Sequence, residues 1–159
     1  MSIVVRAATD EDAHLIAELT RAAWAGKVSV SSSGHRETAQ HVTEHLRAGG
    51  GFILMLGGEA VGSVRWGPHD LDPDIWEILR MGVLPSCRGS NLSQHLLEAV
   101  IHHGLESNAQ ELRLAVRADQ PKLLDLYAAY AFELAEELEY SHANPQEPAP
   151  LVMRRFLQV

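Results

Sequence analysis

Apolar residues recur along this chain with two different periods. Leu15, Ile16 and Leu19 follow the three-to-four-residue spacing of an amphipathic helix, whereas Leu112 and Leu114 alternate with other residues as in a half-buried strand. Together these periods predict a single α/β domain, residues 1–159, in the order β-α-α-β-β-β-α-β-α-β-β. Residues 132–140 fit either a helix, from their acidic side chains, or a strand, from their position. The other predicted strands are 3–6, 51–56, 60–66, 75–83, 112–116 and 151–157, and the predicted helices begin near residues 9, 37, 92 and 121.

The composition narrows the classes of protein to which the chain can belong. With 159 residues, 46% of them hydrophobic, the chain is long enough to bury one full core. Its net charge of -8 argues against general nucleic-acid binding, which needs a basic face. The apolar run at 52–56 is too short to span a bilayer, and the N-terminal residues show no signal-peptide pattern. Cys87 is the only cysteine, so we expect no disulfide framework and a cytoplasmic protein without nucleic-acid or membrane partners.

The histidines raise the question of a metal site. The chain has nine, and His41 and His45 are spaced to share one face of the second predicted helix. No cysteine, aspartate or third histidine completes a ligand set near them. We therefore expect surface histidines and no metal.

The segment VLPSCRGSNLS, residues 83–93, joins a predicted strand to a predicted helix through small and polar residues. Small residues let a ligand approach the backbone, and the N-terminus of a helix attracts anions. Neither the P-loop pattern G-x-x-x-x-G-K-[ST] nor the dinucleotide pattern G-x-G-x-x-G occurs in the chain. The junction is therefore either a phosphate-binding turn of another kind or an ordinary turn.

This turn resembles the signature of the GNAT superfamily of N-acetyltransferases, V-x-P-x-x-[R/Q]-x-x-G-x-[G/A] followed by an amphipathic helix. Val83, Pro85 and Arg88 match it in register, whereas Asn91 and Ser93 stand where the family prefers glycine. Asparagine is the non-glycine residue that a left-handed backbone tolerates best, and serine is small. The segments IVVRAATDEDAHLIAEL, DQPKLLDLYAAYAF and LVMRRFL resemble further parts of the family, so the resemblance extends over nearly the whole chain.

The resemblance implies a GNAT-like fold: a mixed, mostly antiparallel central sheet with helices on both faces, splayed between the fourth and fifth strands. It also implies acetyl-CoA as co-substrate, with its pyrophosphate on the amides of the turn and its pantetheine arm in the splayed gap. Gly82 fits such a splay or a bulge, although a glycine in a strand also occurs for packing. The residues implied in cofactor binding are Met81, Gly82, Val83, Arg88, Gly89, Ser90, Asn91, Leu92, Ser93 and Gln120.

Two residues match catalytic positions of the family. Tyr127 corresponds to the tyrosine that hydrogen-bonds or protonates the departing sulfur, and its alternative role is core packing. Glu77 precedes Val83 by six residues, the separation at which several members carry a catalytic glutamate. It would act as base directly or through water, and its alternative is an ordinary edge or surface residue. Cys87 lies in the turn with no neighbouring histidine or acid, so we expect no acyl-enzyme.

We therefore expect an acetyl-CoA-dependent N-acetyltransferase that passes acetyl directly to a primary amine of a small molecule. One alternative is a non-catalytic CoA-binding sensor or interaction domain of the same fold, and another is a structural domain without a cofactor. Trp24 and residues 26–36 are expected on the acceptor side, where the negative net charge favours a cationic amine. The acidic residues within 133–139 either add negative potential there or form a solvated face. The sequence does not decide between a monomer and a homodimer.

Overall fold

A seven-stranded sheet organises the described residues of this computed structural model, which are 2–25, 33–117, 120–140, 144–146 and 148–158. Helices flank the sheet, as the alternating periods of the sequence predict. The strands are β1 (Ile3–Ala7), β2 (Gly50–Leu56), β3 (Glu59–Pro68), β4 (Ile75–Val83), β5 (Glu111–Val116), β6 (Glu133–Leu134) and β7 (Leu151–Phe156). The helices are α1 (Ala13–Trp24), α2 (Ala39–Ala48), α3 (Ser93–Glu106) and α4 (Leu123–Ala128).

The sheet has the mixed, mostly antiparallel topology that was expected. Its strand order is β1-β2-β3-β4-β5-β7-β6, and within the described residues β4 and β5 form its one parallel pair. The ambiguous segment 132–140 provides β6, which pairs with β7 through Glu133 and Leu134. Its strand interpretation is thus confirmed over two residues. Among the described residues, no helix combines the length and the apolar character that crossing a membrane requires.

The expected splay between the fourth and fifth strands is present. Residues Ile75–Glu77 of β4 pair with Glu111–Arg113 of β5, and in the part of the chain that the structure describes the pairing stops there. The remainder of β5 stays paired with β7, because the register of those two strands runs as far as Val116 opposite Leu151. The second half of β4 therefore borders a gap in the sheet.

A β-bulge interrupts β4 opposite β3. Leu79 pairs with Arg65 and Gly82 with Ser63, so that Arg80 and Met81 together face one residue of β3. Arg80 has a φ of +55°, which is rare for a residue with a side chain. Gly82 is the first residue after the bulge, in the half of β4 that borders the splay.

Packing explains why a glycine occupies position 82. A Cβ atom at Gly82 would lie 3.0 Å from the ring of Trp24 and 3.1 Å from the Cβ of Ala23. The absence of a side chain therefore lets the end of α1 rest directly on β4. Close packing is the alternative reason that was considered above for a glycine at this position of the strand.

Two apolar clusters lie on opposite faces of the sheet. Side chains of β3 and β4 such as Val64 and Ile78 pack with Leu96 and Val100 of α3 on one face. On the other face, Ile53 of β2 packs against α1 and α2. Since side chains alternate across a strand, Arg65 and Leu79, which pair directly, face α1 and α2. That second face carries the charged side chains described below.

Candidate active site

The turn between β4 and α3 has the backbone that its sequence suggests. Gly89 and Asn91 have φ values of +89° and +58°, so the left-handed conformation considered for Asn91 is confirmed. Ser93 is the first residue of α3, and the preceding residue, Leu92, is 6% exposed and contributes no side-chain cap. The amides of Gln94 and His95 donate to the carbonyls of Asn91 and Leu92, at 3.2 and 3.1 Å. The N-terminus of a helix carries partial positive charge, so the start of α3 still favours an anion.

Arg88 ties this turn to another element. Its guanidinium donates a hydrogen bond to the carbonyl of Ala23, in the last turn of α1. Carbonyl groups at the C-terminus of a helix carry partial negative charge, so a cation is favoured there. The side chain of Arg88 thereby fixes the position of the turn relative to α1.

The other predicted cofactor residues line the splayed gap or its ends. Met81 lies in the bulge, and Val83 is buried and pairs with Gly62 at the end of β4. Gln120 follows β5, and its carbonyl accepts a hydrogen bond from the amide of Leu123 at the start of α4. The structure thus gathers the predicted residues around the unpaired half of β4, the turn after it, and the start of α4.

Tyr127 lies on α4 and is 7% exposed. Its ring packs edge-on against Phe132, with 6.1 Å between ring centroids. Burial raises the pKa of its hydroxyl to about 12, so this phenol keeps its proton at neutral pH. A buried, protonated phenol suits both predicted roles, packing and proton donation.

Glu77 lies where the sheet begins to splay. It is 4% exposed, and it is the last residue of β4 that pairs with β5. Its cross-strand neighbours are Gly67 of β3 and Arg113 of β5. The alternative of an ordinary surface glutamate is therefore wrong, because this side chain is enclosed in the sheet interior.

A cavity of about 190 Å³ adjoins Glu77 on the face that carries α2. Its polar lining comes from His45 of α2, Asp70 of the loop between β3 and β4, and Glu77 of β4. Ala48 and Leu79 contribute apolar atoms to the lining. This cavity gives the buried carboxylate space beside it for water or for a small amine.

A buried ion pair lies beside this cavity, and the sequence analysis did not identify it. The Oε2 atom of Glu37 is 2.6 Å from a guanidinium nitrogen of Arg65, and both side chains are fully buried. The other carboxylate oxygen of Glu37 is 2.7 Å from Nδ1 of His41. Burial opposes the charge of Glu37, but the two arginines Arg65 and Arg80 and the His41 contact outweigh it and lower the pKa to about 2.

His45 completes the cluster as a neutral ring. Burial and the charge of Arg65 lower its pKa to about 4. Its Nδ1 lies 3.0 Å from a guanidinium nitrogen of Arg65, which can only donate, so Nδ1 accepts and the ring proton is on Nε2. Within the described residues, no group of three or more histidine, cysteine, aspartate or glutamate side chains is arranged to hold a metal ion.

The bulge directs Arg80 toward the same cluster. Its Nε lies 3.4 Å from the Glu37 carboxylate, and its guanidinium lies 5.9 Å from the ring centroid of Trp24. Tyr140 also lies near this cluster. Burial, and to a smaller extent the charge of the Glu77 carboxylate, raise the pKa of the Tyr140 hydroxyl to about 12. Trp24, which was expected on the acceptor side, therefore contacts both Gly82 and Arg80 of β4.

Two of the acidic side chains within 133–139 lie next to an arginine. Arg154 of β7 is 3.1 Å from Glu137 and 3.6 Å from Glu133, so that both carboxylates have a cationic neighbour. Since the two side chains are 62% and 60% exposed, this arrangement favours the alternative of a solvated face. Of the segment 26–36 expected at the acceptor side, residues 26–32 lie outside the described residues.

Comparisons with known proteins agree on one family. The family model described as acetyltransferase (GNAT) family matches residues 14–132. No curated protein matches the sequence.

Solved structures share the fold over nearly the full length. yncA from Salmonella typhimurium, solved with its cofactor acetyl-CoA, superposes with a TM-score of 0.79 at 14% identity, covering 100% of this chain and 96% of that one. The paia N-acetyltransferase of Thermoplasma acidophilum in complex with coenzyme A has a TM-score of 0.76 at 15% identity, covering 98% and 99%. The ribosomal-protein-S18-alanine N-acetyltransferase of Escherichia coli has a TM-score of 0.76 at 15% identity, covering 99% and 96%.

Proposed function

This chain belongs to the acetyltransferase (GNAT) family, and we propose that it transfers acetyl from acetyl-CoA directly to the primary amine of a small molecule. The observation that carries the proposal is the way β4 leaves the sheet. The half of β4 that has no partner on β5 begins directly after the buried Glu77 and leads into the left-handed turn and the start of α3. The buried Tyr127 lies on α4, which follows β5.

The turn from Arg88 to Ser93 would hold the pyrophosphate. The positive end of the α3 dipole and the amides of the turn before it would attract the phosphate oxygens, and the positive φ values of Gly89 and Asn91 would allow the chain to curve around them. Arg88 would act mainly by fixing this turn to α1 through the Ala23 carbonyl.

The gap beside β4 would take the pantetheine arm. Backbone groups of β4 beyond Glu77 have no partner on β5, so they are available to an extended arm that pairs like an added strand. Met81, Gly82 and Val83 lie along this stretch, and Gln120 lies where β5 leads into α4. The thioester would then lie near the apex of the gap.

Glu77 and Tyr127 would manage the protons of the transfer. The amine nitrogen attacks the thioester carbon, the carbon–sulfur bond breaks, and coenzyme A leaves as a thiolate. An ordinary amine has a pKa of about 10, so it reaches the site as ammonium, and Glu77 takes its proton directly or through water in the adjoining cavity. Tyr127 donates a proton or a hydrogen bond to the departing sulfur.

A CoA-binding sensor or interaction domain of the same fold is the second candidate. It is favoured by Asn91 and Ser93, which stand at the glycine positions of the family motif, and by Arg88, which is engaged with α1. Such a protein would bind the cofactor in the same way and release no thiol.

Binding is tested first, by titrating acetyl-CoA into the protein in a calorimeter. The variant Ser90→Glu places a negative charge beside the phosphates, so we expect its affinity to fall at least tenfold, about 1.4 kcal/mol. Ser2→Glu is the matched control, because it adds the same charge at an exposed position before β1. Wild-type protein without binding at millimolar cofactor would overturn both candidates, and an unaffected Ser90→Glu would move the phosphate site elsewhere.

Turnover separates the two candidates. Thiol release from acetyl-CoA is measured with polyamines, amino acids, aminoglycosides and peptides as acceptors. We expect acetylation of at least one small primary amine. Binding without turnover on all four classes would support the sensor, and activity on peptides alone would contradict a small-molecule acceptor.

A further inference from the structure

A row of four charged residues crosses the sheet where the gap between β4 and β5 begins. Glu77 of β4 pairs with Arg113 of β5, Arg113 pairs with Arg154 of β7, and Arg154 pairs with Glu133 of β6. Residues that pair directly across neighbouring strands have their side chains on the same face of the sheet. The four side chains are therefore neighbours on the face that carries α1 and α2.

Arg113 has two carboxylates within reach on this face. Glu77 lies beside it on the neighbouring strand, at the usual strand separation of about 4.8 Å. Glu111 lies two positions earlier on β5, and because side chains alternate along a strand it faces the same side, about 6.6 Å away. The long side chain of an arginine can reach either acid.

The structure ties Arg113 to the acid of its own strand. Its Nε donates a charge-assisted hydrogen bond of 2.5 Å to Oε2 of Glu111. Both side chains are largely buried, since they are 16% and 8% exposed. Glu111 itself pairs with Ile75 of β4 and Phe156 of β7, which are apolar. The contact thus holds Arg113 toward the closed end of the sheet, where β4 and β5 are still paired.

The other titratable or charged residues around Glu77 come from several elements. Among the described residues they are His45 of α2, Arg65 of β3, Asp70 of the β3–β4 loop, Arg80 of β4 and Tyr140 after β6. Two of them are neutral at pH 7, because the pKa is lowered to about 4 for His45 and raised to about 12 for Tyr140. The two arginines approach Glu37, at 2.6 and 3.4 Å. Of the cations in this region, Arg113 is the direct cross-strand partner of Glu77.

The choice between the two acids matters for proton transfer. A cation in contact with a carboxylate stabilises its charged form and makes it a weaker base. Glu77 has to take a proton from an ammonium group, so an ion pair with Arg113 would reduce its affinity for that proton. An acid that binds Arg113 elsewhere removes this competition.

We infer that Glu111 is a positioning residue for the proposed base: by holding Arg113, it keeps the guanidinium from pairing with Glu77. The inference rests on the proposed function, in which Glu77 takes the proton of the amine. Glu111 acts only through Arg113 and touches neither the acceptor nor the thioester. Its loss should let Arg113 turn to Glu77, one strand away.

The first test follows the protonation of Glu77 and does not require turnover. The side-chain carboxyl groups of all glutamates are labelled with carbon-13 for an NMR titration, and Glu77→Gln identifies the Glu77 signal by its loss. We expect the midpoint of this signal to be at least about one pH unit lower in Glu111→Gln than in wild-type protein, a tenfold lower proton affinity, because contact with Arg113 favours the charged carboxylate.

A double-variant cycle separates movement of Arg113 from simple loss of the Glu111 charge. Arg113→Met should raise the Glu77 midpoint by at least about one unit more in the Glu111→Gln background than in wild-type protein, because only there does Arg113 contact Glu77. Loss of charge without movement would make the two effects additive, and additive effects would overturn the inference. An unchanged midpoint in Glu111→Gln would overturn it as well.

Glu137→Gln is the matched control for the titration. Glu137 lies 3.1 Å from Arg154 of the same sheet and is 60% exposed, so the variant removes an equal charge from another acid beside an arginine. It should leave the Glu77 midpoint unchanged. A shift as large as that in Glu111→Gln would mean that any lost acid on this face has the same effect, which contradicts a particular role for Glu111.

Kinetics provide the second readout. In Glu111→Gln we expect kcat/KM at pH 7 to fall about three- to tenfold and its acid limb to move to lower pH, while the Kd for acetyl-CoA changes less than about twofold. The double variant, Glu111→Gln with Arg113→Met, should recover toward wild type, because no cation is left to pair with Glu77. A purely structural role of Glu111 would give no such recovery and no movement of the acid limb.

Thermal unfolding of each variant shows whether the fold is kept. Glu111→Asp is the second variant for the case that Glu111→Gln does not fold. Its carboxylate is one methylene shorter and holds Arg113 less closely, so the Glu77 midpoint should fall by a smaller amount. Non-additive midpoints without acetylation of any amine would support the role of Glu111 and refute only the proposed function. Acetylation with a midpoint that stays unchanged in every folded Glu111 variant would overturn only the inference.

Discussion

Tyr127 can be tested at the level of a single hydroxyl. Tyr127→Phe keeps the ring that packs against Phe132 and removes only the group that would meet the departing sulfur. Since protonation matters in the transition state, we expect kcat to fall about 10- to 100-fold while the Kd for acetyl-CoA changes less than about twofold. Steady-state kinetics and calorimetry on the same preparation give the two numbers.

Tyr130→Phe is the control for this prediction. The Tyr130 hydroxyl donates to Glu98 at 2.7 Å and lies 3.2 Å from Oε1 of Gln94, so its partners are polar side chains of α3. It should lose little activity. If Tyr127→Phe retained its kcat and lost only thermal stability, the residue would belong to the core alone.

Glu77 is tested by the dependence of its effect on pH. Glu77→Gln preserves the size of the side chain but cannot accept a proton, so we expect kcat/KM at pH 7 to fall about 10- to 100-fold. The deficit should shrink as the pH rises toward the amine pKa of about 10, because the acceptor then arrives already deprotonated. Rates measured from pH 6 to 10 with one acceptor check this.

The exposed Glu59, at the start of β3, supplies the control Glu59→Gln. It should follow the wild-type profile at every pH. A Glu77→Gln deficit that stays constant up to pH 10 would assign the residue to structure or binding and place the base elsewhere.

The docking of α2 onto the sheet depends on the pair between Glu37 and Arg65. Removing Arg65 takes from the buried Glu37 carboxylate its shortest cationic contact and leaves it the longer one from Arg80, so Arg65→Met should lower the free energy of unfolding by about 3–5 kcal/mol. Replacing both partners, in Arg65→Met with Glu37→Gln, should recover part of the loss, because the underpaired buried charge is then removed as well. Urea denaturation of the single and double variants measures this.

Arg47→Met serves as the control. Arg47 pairs with Asp10 at 3.0 Å, but both side chains are largely exposed, so the loss should be at most about 1 kcal/mol. A double variant that is less stable than Arg65→Met would show that Glu37 contributes through its other contacts, with His41 and Thr38.

Periodicity could predict the strands and helices, but not how they meet. The sequence VGSVRWG indicates a strand from its alternation, and β3 contains it. Nothing local shows that Arg65 is 0% exposed or that its partner is Glu37, 28 positions earlier. Burial of a charge is decided by strand register and helix docking, which bring distant residues together. Likewise, an arginine in a sequence does not indicate a left-handed backbone, so the conformation of Arg80 could not be predicted. Asparagine does indicate one, and Asn91 adopts it.

For the whole molecule, the candidate site lies where one strand changes partners. Apart from Gln120, the predicted cofactor residues follow one another along β4 and the next turn, so a local motif is enough to propose them. The buried cluster on the face of α1 and α2 combines Trp24 of α1, Glu37 before α2, Arg80 of β4 and Tyr140 after β6. Those residues share no local pattern, so only the fold reveals that they belong together.

The acid stability of the whole molecule should depend on this same cluster. His45 has a pKa of about 4 in the folded protein against 6.5 ordinarily. Between those values the unfolded chain binds a proton that the native ring refuses, so the free energy of unfolding falls as the pH falls, by at most about 3 kcal/mol. Glu37, with a pKa of about 2 against 4.5, extends the loss to lower pH, because its stabilising charge is present above 4.5 and disappears toward 2.

The direction of this pH dependence distinguishes the titration of His45 and Glu37 from the effect of net charge on stability. The chain carries a net charge of -8 at pH 7, so protonation on the way to pH 5 reduces self-repulsion, which by itself would stabilise the folded state. Urea denaturation at intervals from pH 7 to 4 should instead show falling stability.

In His45→Asn, whose amide oxygen can still accept from Arg65 near the position of Nδ1, the slope of the free energy of unfolding between pH 6.5 and 4 should flatten. His102→Asn, which alters a side chain 75% exposed, should keep the wild-type slope. Equal slopes in wild-type and His45→Asn proteins would show that the buried ring does not control acid stability.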